Sequence, residues 1–211
     1  MLPVVEIYHS LDCFYAYLLN YRLRQVWEEF ASRLTLSWRA LSLEYINQTG
    51  VSRSTFDEER LLFAEIEPRL RTRPWARPAW DWPVTMWPAF EALACAQAQN
   101  AGAAYEMSWA LRTAFFAEGR NLALRHELLL VAAQVAKISP LDLDRFTLDW
   151  DTGRYKETVL AESQRGWHTL KLDGSATLVL PDGRAFTNPA THSPEGSDPL
   201  EELRSILASV G

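Results

Sequence analysis

The order of the hydrophobic patterns is the feature that most constrains the fold of this chain. A strand-like run covers residues 4–8, and apolar residues then recur at helical spacing at Leu19, Leu23, Val26 and Phe30. Residues 34–41 next alternate apolar and polar side chains over their first six positions, as a half-buried strand does. A strand, a long helix and a second strand in this succession predict two parallel strands.

Helix-forming residues dominate from about residue 54 to about residue 165. Ser54 is predicted to cap a helix that runs through Arg69, Ser139 is predicted to cap another, and a further helix is expected over residues 152–164. Strand patterns then return at residues 176–180 and 184–187, which a Pro-Asp-Gly turn joins into a predicted hairpin. Asp198 caps a predicted terminal helix. The expected order is therefore β-α-β, a block of helices, then β-β-α.

The composition excludes several classes of function. With 211 residues, of which 48% are hydrophobic, the chain is long enough to bury a sizeable core. A formal net charge of −6 argues against nucleic-acid binding, which depends on basic surfaces. No run approaches the roughly 20 apolar residues of a membrane span, and Glu6, His9 and Asp12 interrupt the region where a signal peptide is apolar. We therefore expect a cytoplasmic protein that binds neither nucleic acid nor membrane.

Of the two cysteines, Cys13 stands where the first strand passes into the first helix. The free N–H groups and the dipole at a helix N-terminus stabilise a thiolate, so Cys13 is a candidate nucleophile. In a Cys-x-x-Cys pair a second sulfur would stand at position 16, but Ala16 occupies it. A self-contained dithiol cycle at this site is therefore excluded. Cys95 lies in an apolar helical run and is predicted to be a buried core residue rather than a resolving thiol.

These features together resemble the DsbA family, an α/β class with a thioredoxin fold (β-α-β … β-β-α) and a large all-helical insertion. Residues 12–18, Asp-Cys-Phe-Tyr-Ala-Tyr-Leu, are similar to the family's D-x-x-C-P-W-C-Y-L active-site segment. Residues 110–120 are similar to the L-x-x-A-x-F-x-E-G insertion motif, found especially in the FrnE-like branch. Residues 174–180 resemble the segment that holds the family's cis-proline, with Ala176 at the proline position.

The resemblance implies a thioredoxin-like domain of residues 1–50 and 166–211, and a helical insertion subdomain of residues 51–165. It also implies a thiol–disulfide oxidoreductase whose catalytic residue is Cys13. The residues expected to bind substrate are Phe14, Tyr15, Ser175, Ala176 and His9.

Three of these residues have alternative interpretations. Phe14 and Tyr15 can equally pack the start of the helix, and His9 can lie near the thiol or at the surface of a strand end. A cis peptide bond before a residue other than proline costs about 2.5–4 kcal/mol, so the Ser175–Ala176 bond is expected to be trans unless the site enforces strain.

Three functions remain open from the sequence. In the first, Cys13 attacks a disulfide or an electrophile of a peptide or small molecule, and glutathione or a partner thiol completes the cycle. We then expect little insulin reduction by the protein alone.

In the second, the chain is a glutathione transferase of the kappa class or a hydroxychromene carboxylate isomerase. These enzymes are similar in fold but use a serine near position 13, whereas Ser10 lies three residues too early. In the third, it is a non-catalytic module that binds a peptide or small ligand.

The histidines and a tryptophan-rich segment also bear on the function. The four histidines lack the spacing of metal ligands, so no metal site is predicted. The segment of residues 74–88 carries four tryptophans among its prolines. It is expected to be an ordered apolar loop, either packed between subdomains or forming one wall of a substrate groove.

Overall fold

A computed structural model describes residues 2–191 and 198–210. These residues form four strands, β1 to β4, at Val4–His9, Thr35–Ala40, Thr177–Val179 and Ala185–Thr187. They also form nine α-helices, α1 to α9, at Phe14–Val26, Leu43–Asn47, Arg53–Ile66, Trp87–Gln97, Ala101–Arg112, Arg125–Val135, Leu143–Asp151, Lys156–Gln164 and Pro199–Ala208. The predicted order of elements is confirmed, with helices α2 to α8 between β2 and β3.

The sheet has the strand order β2-β1-β3-β4. The first two strands are parallel, as predicted, and their register pairs Val4 with Thr35 and His9 with Ala40. Strand β3 runs antiparallel to β1, so that Tyr8 pairs with Thr177. Because of these directions, the end of β1 and the start of β3 meet at the same edge of the sheet. This topology brings residues 10–13 beside residues 174–176, although more than 160 positions separate them in the chain.

Both faces of β1 are covered. Val5 and Ile7 point into the main core, which α1 and α5 share, whereas Tyr8 points to the opposite face and packs with Leu41 and Val179. Burying a side chain of valine or leucine size stabilises a fold by about 1.5–3 kcal/mol. A strand buried on both sides is therefore a rigid support for the residues that follow it.

Three helices start at residues other than the predicted ones. Helix α3 begins after Ser52, whose side chain accepts the N–H of Thr55, so the prediction of Ser54 as N-cap was wrong. Helix α7 begins after Asp142, because the Asp142 side chain accepts the N–H of Arg145. The expected cap, Ser139, instead donates its N–H to Val135 at the end of the preceding helix. Helix α8 starts at Lys156 and not at residue 152 as predicted, because residues 152–155 form a turn.

The motif of residues 110–120 covers the end of helix α5 and the turn that follows it. A single π-helical turn, Thr113–Ala117, follows α5 and buries Phe115 and Phe116 completely. The chain then leaves the turn at Gly119, whose φ of +64° is readily adopted only by glycine. The motif thus places the ring of Phe116 against Phe14 and Tyr17 of α1, while Phe115 packs against Phe56 and Trp82.

The tryptophan-rich segment is ordered and apolar, as expected. Trp75 is buried and packs edge-on against Trp82 at a ring distance of 4.9 Å. The indole N–H of Trp82 donates to the Val51 carbonyl at 2.9 Å. Gly50 lies so close to this segment that a Cβ there would come within 2.9 Å of the Val84 carbonyl oxygen. These contacts favour the packing interpretation, in which the segment supports the loop of residues 50–52.

Across residues 2–191 and 198–210, none of the helices has both the length and the apolar character needed to span a bilayer.

Candidate functional site

The predicted nucleophile, Cys13, is the N-cap residue of α1. Its carbonyl accepts the first helical hydrogen bond, from the N–H of Tyr17 at 3.1 Å. Its thiol donates to the carbonyl oxygen of Ser175 at 3.2 Å. The fold therefore places the sulfur both at the helix N-terminus and beside the loop that precedes β3.

The Ser175–Ala176 peptide bond is cis, so the expectation of a trans bond was wrong. The energetic cost of an isolated cis peptide bond favours trans, but Ser175 also contacts Ser10 and Cys13. The Ser175 side chain accepts the N–H of Ser10 at 2.7 Å, and its carbonyl accepts the Cys13 thiol. Ala176 is completely buried, and its carbonyl accepts the N–H of Asn188 at 2.7 Å.

A cavity of about 380 Å³ lies over Cys13. We call it the thiol cavity. It is formed by the residues around Cys13, the end of α2 and the start of α3. Its lining residues are Asp12, Cys13, Leu43, Asn47, Thr49, Gly50, Val51, Ser52, Thr55 and Glu59. Cys13 is 6% exposed, so the sulfur stands at the inner end of the cavity and not at the surface.

The environment of Cys13 does not activate the resting thiol. The N–H of Ala16 and a contact with Ser175 lower the pKa of Cys13, as expected at a helix N-terminus. Burial and the nearby carboxylates of Asp12 and Glu59 outweigh them and raise the pKa of Cys13 from 9.0 to about 11. The helix N-terminus therefore lowers the pKa of Cys13 as expected, but burial in a low dielectric raises it by more, because burial disfavours the charged thiolate.

The two carboxylates beside the thiol differ in exposure, since Asp12 is buried and Glu59 is half-buried. Asp12 is buried and accepts the hydroxyl of Ser10 at 2.5 Å. Burial raises the pKa of Asp12, and burial together with the charge of Asp12 raises the pKa of Glu59. The thiol cavity therefore carries two carboxylates that a cationic group of a ligand would stabilise.

Replacing Glu59 tests this electrostatic account. We expect Glu59→Gln to lower the pKa of Cys13, because the substitution removes a negative charge that opposes the thiolate while it keeps the shape of the side chain. Alkylation of Cys13 at neutral pH should become about 2- to 5-fold faster, as expected for the loss of a charge interaction below about 1 kcal/mol. Glu58→Gln, an exposed change on the same helix, is the matched control. Equal rates in both variants would contradict a role of Glu59.

None of the five predicted substrate-binding residues lies in the wall of the thiol cavity, although Ser175 contacts the Cys13 thiol. Phe14 is completely buried among the rings of Phe56, Phe63 and Phe116, at ring distances of 4.5–5.3 Å. Tyr15 is half-buried and packs edge-on against Phe63 at 4.9 Å. These contacts favour the packing interpretation of both residues.

His9 is completely buried, so its interpretation as a surface residue was wrong. It packs edge-on against Trp38, and its Nδ1 is 2.8 Å from an amino group of Arg112. Burial, followed by the charge of Arg112, holds the pKa of His9 well below its ordinary value, so the imidazole is neutral at pH 7. His9 does not line the thiol cavity.

Arg112 is a buried cation that the sequence analysis missed. One of its amino groups donates to the carbonyl and hydroxyl of Ser108 at 3.0 and 2.7 Å, and the other donates to His9. Burial lowers the pKa of Arg112 to about 9, which still leaves the guanidinium charged at pH 7. The negative charges of Cys13 and Asp12 raise the pKa of Arg112, against the effect of burial. Arg112 thus supplies positive charge behind the thiol site.

The second cysteine does not join the site. Cys95 lies in α4, is 1% exposed as predicted, and has no place in the lining of the thiol cavity. Burial raises its pKa to about 12. Within the part of the chain that the structure describes, both cysteines are free and no group of three or more histidine, cysteine or acidic residues could hold a metal ion.

Comparison with known proteins identifies the architecture. No protein-family model matches the sequence, and no curated protein matches it significantly. Among solved structures, the chain is similar to a protein of Nitrosomonas europaea that carries the provisional name of a protein disulfide isomerase. The two share 17% identity and a TM-score of 0.79 over 99% of this chain and 97% of the other.

Two further structures are similar over almost the whole chain. The cytosolic disulfide reductase DsbM from Pseudomonas aeruginosa has 20% identity and a TM-score of 0.75, over 98% of this chain and 99% of that one. A 2-hydroxychromene-2-carboxylate isomerase has 16% identity and a TM-score of 0.66, over 98% of this chain and 95% of that one. The chain therefore has the thioredoxin fold of these proteins, with helices between its β-α-β and β-β-α parts.

Proposed function

We propose that the protein catalyses glutathione-dependent thiol–disulfide exchange through the single thiol of Cys13. The observation that carries the proposal is the position of the Cys13 sulfur, at the inner end of the thiol cavity and 3.2 Å from the Ser175 carbonyl oxygen. Ala16 provides no second sulfur, and Cys95 is buried in another helix. The thiol that completes the cycle must therefore come from solution.

The exchange needs two steps. The Cys13 thiolate attacks the disulfide between glutathione and a substrate, so the substrate S–S bond breaks and an S–S bond between Cys13 and glutathione forms. Cys13 has released its proton to solvent before the attack. The substrate sulfur leaves as a thiolate and takes up a proton from solvent. A second glutathione thiolate then attacks the mixed disulfide, which returns Cys13 and releases glutathione disulfide. Glutathione is oxidised and the substrate is reduced.

The lining of the thiol cavity supports glutathione as the co-substrate. Asp12 and Glu59 can pair with the ammonium group of the tripeptide, and Asn47, Thr49 and Ser52 offer hydrogen-bonding side chains. An ammonium group beside these carboxylates would offset the charges that raise the pKa of Cys13, so binding would favour the thiolate. A solved structure of DsbM with GSH also supports this choice. The cytoplasmic location expected from the sequence would keep glutathione and Cys13 reduced.

The proposal predicts a mixed disulfide on one residue. Incubation with glutathione disulfide should add one glutathionyl group to the protein, at Cys13, as measured by intact-mass spectrometry and peptide mapping. Cys13→Ser should abolish both this adduct and the glutathione-dependent reduction of a glutathionylated peptide, because serine cannot form a disulfide.

Cys95→Ser is the matched control and should keep both the adduct and the activity, since Cys95 is buried away from the thiol cavity. Modification of Cys95 alone, or peptide reduction that survives Cys13→Ser, would rule out the proposed mechanism.

A second candidate function is non-catalytic binding of a peptide or small ligand in the thiol cavity. The raised pKa of Cys13 favours it, because a protonated thiol is a poor nucleophile. In this case glutathione or a peptide would bind equally to the wild type and to Cys13→Ser, and no peptide reduction would be observed.

An isomerase-like activity has less support in this chain. The serine nearest to Cys13 in the sequence, Ser10, is 1% exposed, and its hydroxyl is used within the fold. It donates to Asp12 and accepts the N–H of Leu43 at 3.3 Å. These contacts join the strand end to α2 and leave Ser10 outside the lining of the thiol cavity.

A further inference from the structure

The wall of the thiol cavity is acidic. Its described lining contains two acidic residues, Asp12 and Glu59, and no lysine, arginine or histidine. The lining residues that are exposed to solvent are uncharged, and they are Asn47, Thr49, Ser52 and Thr55. The proposed site of exchange is therefore negative, and no group in its described wall offsets that charge.

Glu59 faces the thiol from helix α3. Thr55 and Glu59 both line the cavity and stand four residues apart, so they lie on one face of the helix. The charge of Glu59 raises the pKa of Cys13, and the charge of Asp12 adds to the effect of burial on the pKa of Glu59. The two carboxylates and the thiol are thus close enough to interact through space.

Neither carboxylate is neutralised within the fold. Asp12 accepts the hydroxyl of Ser10, and neither Asp12 nor Glu59 forms an ion pair in the part of the chain that the structure describes. Burial raises the pKa of Asp12, the charge of Glu44 raises it further, and Arg112 lowers it by less than Glu44 raises it. The buried cation behind the site therefore leaves the cavity negative.

The basic residues of α3 have other places in the fold. Arg53 donates to the Trp75 carbonyl at 3.1 Å and lies 3.9 Å from the Asp57 carboxylate. Arg60 is half-buried but contributes nothing to the described lining of the cavity. The helix that carries Glu59 therefore offers it no cation.

Glutathione leaves this charge unbalanced. Its single ammonium group offsets only one of the two carboxylates, and at neutral pH the tripeptide adds two carboxylates of its own. In a mixed disulfide, the substrate residues beside the modified cysteine lie next to the same S–S bond that Cys13 attacks. The substrate is therefore the component that can bring further positive charge to the cavity.

We infer that the substrate of Cys13 is a glutathione mixed disulfide of a basic peptide segment, in which a lysine or arginine beside the modified cysteine pairs with Glu59. This inference rests on the proposed exchange at Cys13 and adds the substrate class. Lysine and arginine carry their charge at the end of a long stem, so the charge can enter the cavity while the peptide backbone stays outside. An acidic residue at the same place is repelled.

Glutathionylated peptides that differ only in the residues flanking the cysteine test the inference. These flanking residues are lysine, serine or glutamate. In the wild type, kcat/KM for glutathione-dependent reduction should be about 10-fold higher for the lysine peptide than for the glutamate peptide, with the serine peptide between them, because attraction and repulsion both contribute.

Glu59→Gln should reduce this ratio to about 3-fold or less, because an ion pair near a surface contributes only a small factor of this order. A change in the pKa of Cys13 alters the rates of all the peptides alike, so the ratio reports charge recognition alone. Glu58→Gln, an exposed change on the same helix, is the matched control and should keep the ratio. Thr55→Lys places a cation in the exposed wall and should also reduce it.

Binding to Cys13→Ser separates the inference from the proposed activity, because this variant cannot exchange disulfides. Calorimetry should show tighter binding of the lysine peptide than of the glutamate peptide. If the wild type does not reduce the serine peptide, the proposed exchange fails, and the binding preference still decides the inference.

Thermal unfolding shows whether each variant is folded, and Thr55→Lys provides the test if Glu59→Gln is not. Equal affinities of the lysine and glutamate peptides for Cys13→Ser would overturn the inference. So would equal kcat/KM values in an active wild type, or a preference that the folded cavity variants leave unchanged.

Discussion

Alkylation of Cys13 at pH 7 is expected to be roughly 100-fold slower than that of an unperturbed cysteine, since the rise in pKa from 9.0 to about 11 reduces the thiolate fraction by that factor. The rate should continue to rise with pH up to about 11. Burial of the sulfur would slow the reaction further. The physical causes are the low dielectric around the sulfur and the negative charges of Asp12 and Glu59.

The measurement is the rate of iodoacetamide modification as a function of pH, in a Cys95→Ser background that leaves one thiol. The same protein unfolded in urea is the reference, and its Cys13 should react with the pH dependence of an ordinary cysteine. A rate for the folded protein that levels off below pH 9 would contradict the raised pKa.

The same shift links the thiol to stability. Because the pKa of Cys13 is raised in the folded state, the unfolded chain releases the proton first as the pH rises. The contribution of the neutral thiol to the free energy of unfolding is therefore complete below about pH 9 and is lost between about pH 9 and 11. In the cycle that we propose, the ammonium group of glutathione offsets the two carboxylates, whereas burial, the largest cause of the raised pKa of Cys13, is not offset by it.

Phe14→Ala is expected to reduce the free energy of unfolding by about 3–5 kcal/mol, as is typical when a fully buried aromatic side chain is removed. The ring of Phe14 lies 4.5 Å from Phe116 and 5.3 Å from both Phe56 and Phe63. It therefore joins α1 to α3 and to the π-helical turn. The loss would leave a cavity that these rigid neighbours cannot fill completely.

Urea-induced unfolding followed by circular dichroism measures this effect. Phe14→Leu, which keeps most of the buried volume, is the matched control and should cost less. A loss below about 1 kcal/mol for Phe14→Ala, together with weaker binding of glutathione, would contradict the packing role and would support the original interpretation of Phe14 as a substrate-binding residue.

The local features of this fold could be predicted because they depend on neighbouring residues. The periodicity of α1, the alternation in β2 and the cap at Asp198 are all visible within a few positions of the sequence. The positions of helix starts were less certain. Near α3, two serines two residues apart can both act as caps, and the choice of Ser52 is made by the geometry of the backbone.

The sequence by itself determined the order of the elements and the presence of one thiol at a helix N-terminus without a resolving partner. It could not determine the reactivity of that thiol, because the pKa of Cys13 is a sum of burial, of the contact with Ser175 and of the charge of Glu59. It also placed His9 among the candidates for the thiol site, whereas the structure packs this ring against Trp38 and beside Arg112, outside the lining of the thiol cavity. Electrostatic and packing energies depend on distances in space, and only the tertiary structure brings together groups that the chain separates by more than 160 residues.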